Sequence, residues 1–236
     1  MSSILESVEW GAKALGFLDQ SIKRINRKKP AIVYLRHSKA DYSLANSPRD
    51  GILTEQGIEA SLEFGDRLPK TFSYRIFHSE YPRAIITADN IHRGLLNQNA
   101  DSNIVGSQPY LMFSKSNEAK LSHYFNRQYR TEFLTHWISG RLPPKTVESS
   151  LELAIESAKQ VTHNLRDVKP GSIDLYVNHD IIILPIMFHW FGVYHAYPWA
   201  GHLDGFILQL YDDKMVFIDK EGEHEVDYPY WWTFRS

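Results

Sequence analysis

An α/β domain is the fold class this sequence predicts: a mostly parallel central sheet, helices on both faces and a helical insertion. Two observations carry that expectation. Apolar runs of strand length stand at Ala31-Ile32-Val33-Tyr34-Leu35 and Ile173-Asp174-Leu175-Tyr176-Val177, and stretches with helical spacing lie between and after them. Unbroken apolar runs, in place of alternation, mark strands covered on both faces, as parallel strands are.

The elements follow in order. Residues 3 to about 24 set Ile4, Val8, Ala12, Leu15 and Leu18 at helical spacing, so an amphipathic helix is expected there. A basic run, Lys23, Arg24, Arg27, Lys28 and Lys29, closes it. Residues 1–29 are therefore taken as an N-terminal helix and basic linker, and 30–236 as one domain. The helix is expected to cover a sheet edge. A membrane-surface or partner-binding role competes, although Glu6, Glu9 and Asp19 dilute its positive charge. After the first strand, Thr54 is a good N-cap, and Ile58, Leu62, Phe64 and Leu68 are expected to form one buried stripe. A strand near Tyr74 to His78 leads to Ser79-Glu80-Tyr81-Pro82, where a serine and an early proline mark a helix running to about Leu96.

From Gly106 to Arg141 this rhythm stops and aromatic and basic residues accumulate, among them Tyr124, Phe125, Tyr129, Phe133, His136 and Trp137. A helical insertion over the site, at about 107–145, is expected here. Pro143-Pro144 separates it from a helix of roughly 146–166, and the strand at Ile173 is followed by a helix from Ile181 to Phe191. Two strands near Phe206 to Tyr211 and Met215 to Asp219 read as a hairpin.

Composition narrows the function classes. The chain of 236 residues has no cysteine, which removes disulfides, thiolate metal sites and cysteine nucleophiles. A formal net charge of −2 offers no field for nucleic acid, so any anion site must be a local basic cluster. No run of about 18 apolar residues occurs, so no membrane span is expected. With no secretory signal in the first residues, a cytoplasmic protein is the expectation.

Three junctions carry chemistry. Arg36-His37-Ser38 follows the first strand, at the carboxyl end where open α/β sheets bind ligands. Arg83 sits in the first turn of a helix, where a cation opposes the helix dipole but a bound phosphate would be favoured. His179-Asp180 follows the strand ending at Val177. Each has a bland alternative when taken alone: a loop Arg-His pair, a solvated arginine, and an Asp180 that merely caps its helix beside a satisfied histidine.

Together these segments resemble the histidine phosphatase superfamily, whose fold is phosphoglycerate mutase-like. The family's first strand ends in Leu-Arg-His-Gly and is followed by Leu-Thr-Glu-x-Gly; here LRHSKAD is followed by LTEQG at 53–57. HSEYPRAIITA at 78–88 stands where the family has Ser-Ser-x-x-x-Arg-Ala-x-x-Thr-Ala, and VNHD at 177–180 completes the set. The resemblance implies a phosphohistidine formed on His37, a phosphate bound by Arg36, Arg83, His37, His179 and Ser38, and no metal or other cofactor. Ser38 departs from the usual glycine; its side chain must fit, and its hydroxyl can donate to phosphate. The Asp after the second histidine is similar to the acid-phosphatase branch, in which that aspartate is the proton donor, which would make Asp180 the acid. In the mutase-like branch the acid is a glutamate elsewhere, for which Glu118 is the candidate.

Glu118, Arg127, Arg130 and His202 are candidates for the substrate pocket, with Arg141 and Asp204 beside them. A solvated helix face competes for the arginines, and a plain turn for His202 and Asp204. The C-terminal YPYWWTF is either a tail packed on the body or a homodimer contact. The function expected is hydrolysis of a phosphomonoester on a small molecule. A phosphohistidine-protein phosphatase or a phosphoryl mutase is the runner-up, and a silent phosphate-binding scaffold is the reading from another class.

Overall fold

The computed structural model describes residues 3–43, 49–112, 130–193 and 200–233. The chain starts with α1 (Ile4–Ser7) and α2 (Gly11–Gly16), continued by a π turn at Phe17–Ser21 and a 3-10 turn at Ile22–Arg24. There follow β1 (Ala31–Arg36), a small hairpin of β2 (Ala40–Asp41) and β3 (Ile52–Leu53), α3 (Glu55–Arg67), β4 (Ser73–His78), α4 (Pro82–Asn97) and β5 (Ser102–Ser107). After α5 (Arg130–Ile138) come α6 (Ser150–Leu165), β6 (Ser172–Asn178), α7 (Asp180–Phe191), β7 (Gly205–Leu210), β8 (Met215–Ile218) and β9 (Glu223–Val226).

Seven strands form one sheet in the order β5-β4-β6-β1-β7-β8-β9. The four from β5 to β1 are parallel, and β7, β8 and β9 pair antiparallel beyond them. β1 therefore lies near the middle of the sheet. Its side chains alternate between two cores, as a period of two requires. Val33 and Leu35 face a core shared with the N-terminal segment, α3 and α4, while Ile32 and Tyr34 face a core shared with α5, α6 and α7. In that second core the rings of Phe77, Tyr176, Tyr34 and Phe206 stack across four neighbouring strands, with centroids 4.6, 5.2 and 5.1 Å apart. Such cross-strand pairs hold the register of the strands that carry the site.

Four local expectations are corrected. The N-terminal segment is not one continuous helix, because Val8 is extended (φ −102°, ψ 137°) and the chain restarts at Gly11. A Cβ on Gly11 would lie 1.9 Å from the Leu5 carbonyl oxygen, so the turn depends on glycine. The break shifts the phase. The buried face is Leu5, Ala14, Phe17, Leu18, Ser21, Ile22 and Ile25; of the expected stripe Leu18 belongs to it, Ile4 and Leu15 pack against it half-buried, and Ala12 is exposed.

On α3 the expected stripe holds at Phe64 and Leu68 and shifts elsewhere. Ile58 is exposed, and the buried residues are Gly57, Ala60, Ser61, Phe64 and Gly65. Small residues win because α4 approaches so closely: a Cβ on Gly65 would sit 2.3 Å from the Ile91 carbonyl oxygen. Thr54 does cap this helix, accepting from the Gly57 N–H at 3.0 Å.

β5 and β9 lack the apolar runs that mark central strands, since both lie at sheet edges and are half exposed. The rhythm thus continues to Ser107, where the insertion was expected to begin. Within the insertion, Phe133 and Trp137 of α5 are buried in the core against the sheet, and Trp137 donates from Nε1 to the Glu148 carbonyl at 2.6 Å. At the C-terminus Trp232 is buried and meets the Trp190 ring edge-on at 5.1 Å, so this part of the tail packs on the body. Among the described residues no helix is long and apolar enough to cross a membrane.

Candidate active site

The carboxyl ends of β1, β4 and β6 lie side by side, since Arg36 pairs with Asn178 and His78 with Val177 in parallel register. The three junctions therefore meet. His37 follows β1 directly, and its N–H donates to the Asn178 carbonyl at 2.9 Å. Its Nδ1 lies 2.7 Å from the Ser38 carbonyl oxygen. A carbonyl only accepts, so Nδ1 must carry the hydrogen, and Nε2 presents a lone pair.

Arg83 faces that lone pair. Its Nε donates to His37 Nε2 at 3.1 Å, and its Nη2 lies 3.3 Å from His179 Nδ1. A guanidinium has no acceptor, so His179 Nδ1 accepts and His179 Nε2–H donates to Ser79 Oγ, 2.7 Å away. Both imidazoles are thus held neutral with complementary tautomers. Their centroids are 5.1 Å apart. Burial is the largest cause that holds His37 well below its ordinary pKa, followed by the charge of Arg83, then His179, Arg36 and His202. His179 is shifted the same way by burial, then Arg83 and Arg36. Desolvation and nearby cations both disfavour a charged imidazole.

Arg83 is only 5% exposed, which rules out the solvated-arginine reading. The Tyr81 and Tyr42 rings flank its guanidinium at 4.7 and 5.4 Å, and Nη1 donates to the Arg49 carbonyl at 3.3 Å. Thr87, one turn further along α4, donates to the Arg83 carbonyl at 2.7 Å and accepts the Ser38 N–H at 3.1 Å. Ser38 is fully buried and its hydroxyl has no partner among the described residues.

Arg36 reaches across to Asp180, with Nη2 and Oδ2 3.1 Å apart. Its Nη1 donates to the Ala200 carbonyl at 2.8 Å. Asp180 is not the cap of α7: His179 holds the N-cap position and Asp180 the first helical one. Its carboxylate accepts the Ile181 N–H at 2.9 Å, and its charge acts on Arg83 and His202 as well as on Arg36. His202 joins the group from the turn before β7. Its Nδ1 donates to the His37 carbonyl at 3.2 Å, and burial, then Arg36, lower its pKa to about 3.

The start of α4 is corrected. Ser79 does not cap α4; Tyr81 occupies that position, and Ser79 orients His179. Asp204 is buried and accepts from the Gly201 and Gly205 N–H groups, the plain-turn alternative. Arg141 is exposed. Glu118, Arg127 and the Arg130 side chain lie outside the described residues. Two positioning residues, Ser79 and Thr87, were not among the expected site residues, Ser79 being read only as a helix start, although both stand inside the quoted HSEYPRAIITA segment.

No protein-family model and no curated protein matches the chain. Solved structures do. A mycobacterial glucosyl-3-phosphoglycerate phosphatase superposes with a TM-score of 0.57 at 17% identity, covering 84% of this chain and 97% of its own. YhfR of Bacillus stearothermophilus gives 0.53 at 16% identity, covering 84% and 96%. A phosphoglycerate mutase from Bacillus anthracis strain Sterne gives 0.50 at 13%, covering 85% and 94%. These likenesses cover almost the whole of each of those proteins. The chain thus has the phosphoglycerate mutase-like fold.

Proposed function

We propose that this protein is a phosphatase that hydrolyses a phosphomonoester through a phosphohistidine on Nε2 of His37. The observation that carries the reading is the tautomer of His37. Its Nδ1–H is spent on the Ser38 carbonyl, so an unprotonated Nε2 points into a nest of donors formed by Arg83, with Arg36 and His179 nearby. A buried neutral imidazole among fixed cations suits attack on phosphorus, and the cations suit the oxygens on which charge gathers.

Nε2 attacks phosphorus as the bond to the leaving oxygen breaks. That oxygen takes a proton from Asp180; water then attacks phosphorus, giving a proton to the Asp180 carboxylate, as the bond from phosphorus to Nε2 breaks and inorganic phosphate leaves. In the free protein Asp180 pairs with Arg36. A phosphate dianion drawn to Arg36 competes for that charge and faces the carboxylate with a like one, the condition under which an acid keeps its proton. The known activities of proteins with this fold include hydrolysis of glucosyl-3-phosphoglycerate and mutase chemistry on phosphoglycerate. A phosphorylated small molecule is accordingly the proposed substrate class, and a mutase the second reading.

The test is turnover of an aryl and an alkyl phosphate by wild type, His37→Ala and Asp180→Asn. His37→Ala is expected to abolish both. Asp180→Asn is expected to lose about 10²–10⁴-fold on the alkyl ester, which needs the acid, and far less on the aryl ester. Phosphate binding by the wild type with no turnover of either ester would leave a silent binding module.

A further inference from the structure

The N-terminal segment reaches the site. Trp10 stands edge-on to the His202 ring, with centroids 5.4 Å apart and planes at 81°. His202 Nδ1 in turn donates to the carbonyl of His37. The turn that carries His202 is tied to both residues of the Arg36-His37 pair. Arg36 Nη1 donates to the Ala200 carbonyl, the Leu203 N–H to the Arg36 carbonyl at 3.1 Å, and the Arg36 N–H to the Asp204 carbonyl at 2.9 Å. Leu203 adopts a left-handed φ of 56°, a conformation that persists only when its surroundings determine it. Part of those surroundings is the same N-terminal segment. The Lys13 stem packs so closely on Gly201 that a Cβ there would lie 2.6 Å from Lys13 Cδ.

A histidine that donates from Nδ1 to one carbonyl can rotate or change tautomer unless its ring is held. Trp10 supplies that hold from one side, and the His37 ring lies near it as well, centroids 5.9 Å apart. The bonded carbonyl belongs to the residue that bears the nucleophile, so any rotation of His202 is felt there.

We propose that Trp10 is a positioning residue for the phosphoryl-transfer site, acting through His202 on the backbone of His37 without touching substrate. The proposal rests on the reading of His37 as nucleophile. It gives the N-terminal segment a purpose beyond covering the sheet.

The experiment compares wild type with Trp10→Ala, Trp10→Phe, His202→Ala and the Trp10→Ala/His202→Ala pair. Leu5→Ala serves as control, because Leu5 is fully buried in the same segment and belongs to the apolar core shared with α3 and α4. One readout needs no turnover: the imidazole nitrogens observed by long-range proton–nitrogen correlation near neutral pH. Wild type, Trp10→Phe and Leu5→Ala are expected to show His202 as a single Nδ1–H tautomer. Trp10→Ala is expected to show it averaged between two tautomers, with the His37 signals displaced.

The second readout is hydrolysis of p-nitrophenyl phosphate. Trp10→Ala and His202→Ala are each expected to lower kcat by about tenfold with KM within about twofold, the mark of a misaligned nucleophile. The paired variant should lose no more than either single one, because the two residues act in series. Imidazole signals in Trp10→Ala identical to wild type overturn the proposal, as do multiplying losses or a Leu5→Ala variant that reproduces both effects. Absence of turnover in the wild type removes the phosphatase reading alone, and the imidazole pattern still decides the role of Trp10.

Discussion

The Nε of Arg83 donates to Nε2 of His37 at 3.1 Å while Nη2 of the same guanidinium donates to His179 at 3.3 Å, so one buried cation sets the protonation of two histidines. Both are held low by burial first and by Arg83 next. Removing that charge in Arg83→Ala should raise both pKa values toward the ordinary 6.5, observable by nitrogen-resolved titration of the imidazoles. Turnover should fall by about 10²–10³-fold, the usual cost of losing a preorganised donor. Unmoved titrations would mean that burial alone sets these groups.

Acid should unfold the protein through its histidines. His37 and His179 lie well below their ordinary 6.5, His202 lies at about 3 and His189 at about 4, each mainly because burial disfavours the charged ring. The folded state therefore keeps them neutral where the unfolded chain takes up protons. Their contribution is complete above the unfolded pKa and is lost as the pH falls below it, by up to about 1.4 kcal/mol per pH unit for each histidine. A lower urea midpoint at about pH 5 than at about pH 7 is expected, with a shallower decline in His202→Asn. Equal midpoints at the two pH values would contradict these shifts.

Ser38→Ala separates stability from binding. The Ser38 hydroxyl is buried without a partner among the described residues, and an unpaired buried polar group costs about 1–3 kcal/mol. Its removal should raise stability by about 1 kcal/mol in urea unfolding. Phosphate affinity, measured by calorimetry, should weaken by about tenfold, the loss of one hydrogen bond to a charged ligand. A more stable variant with undiminished phosphate affinity would show that the hydroxyl has no part in binding.

Gly57 is required by the loop after β1. A Cβ there would lie 2.2 Å from the Lys39 carbonyl oxygen, a contact between two backbones that no rotamer relieves. Gly57→Ala should destabilise the protein by about 1–3 kcal/mol and reduce turnover as the loop following His37 shifts. An unchanged unfolding midpoint would show that the hairpin of β2 and β3 yields freely.

Much of the fold was legible because buried strands write themselves as apolar runs and helices as capped periodic stretches. β1, β6, the Thr54 cap and the proline at the start of α4 all follow that rule. Where burial was decided by a neighbour's backbone, the local pattern misled. Ile58 is apolar yet exposed, because the face of α3 that meets α4 and the Lys39 carbonyl is built from Gly57, Ala60, Ser61, Phe64 and Gly65. β5 was missed because an edge strand needs only half a face of apolar side chains.

For the site, the sequence by itself determined which residues end the strands: Arg36 and His37, Arg83 shortly after His78, and His179 with Asp180. Strand ends are a local property, set by where an apolar run stops. Only the tertiary structure decided which nitrogen of each imidazole bears the proton, that Ser79 orients His179, that Arg36 pairs with Asp180, and that Trp10 stands behind His202. His37 finds the acceptor for its Nδ1 one residue on, at Ser38, but the other facts depend on partners between 46 and 192 residues apart in the chain, brought together by the parallel pairing of β1, β4 and β6 and by the turn before β7. A proton's position is settled by the nearest acceptor in space, and spacing along the chain carries no record of it.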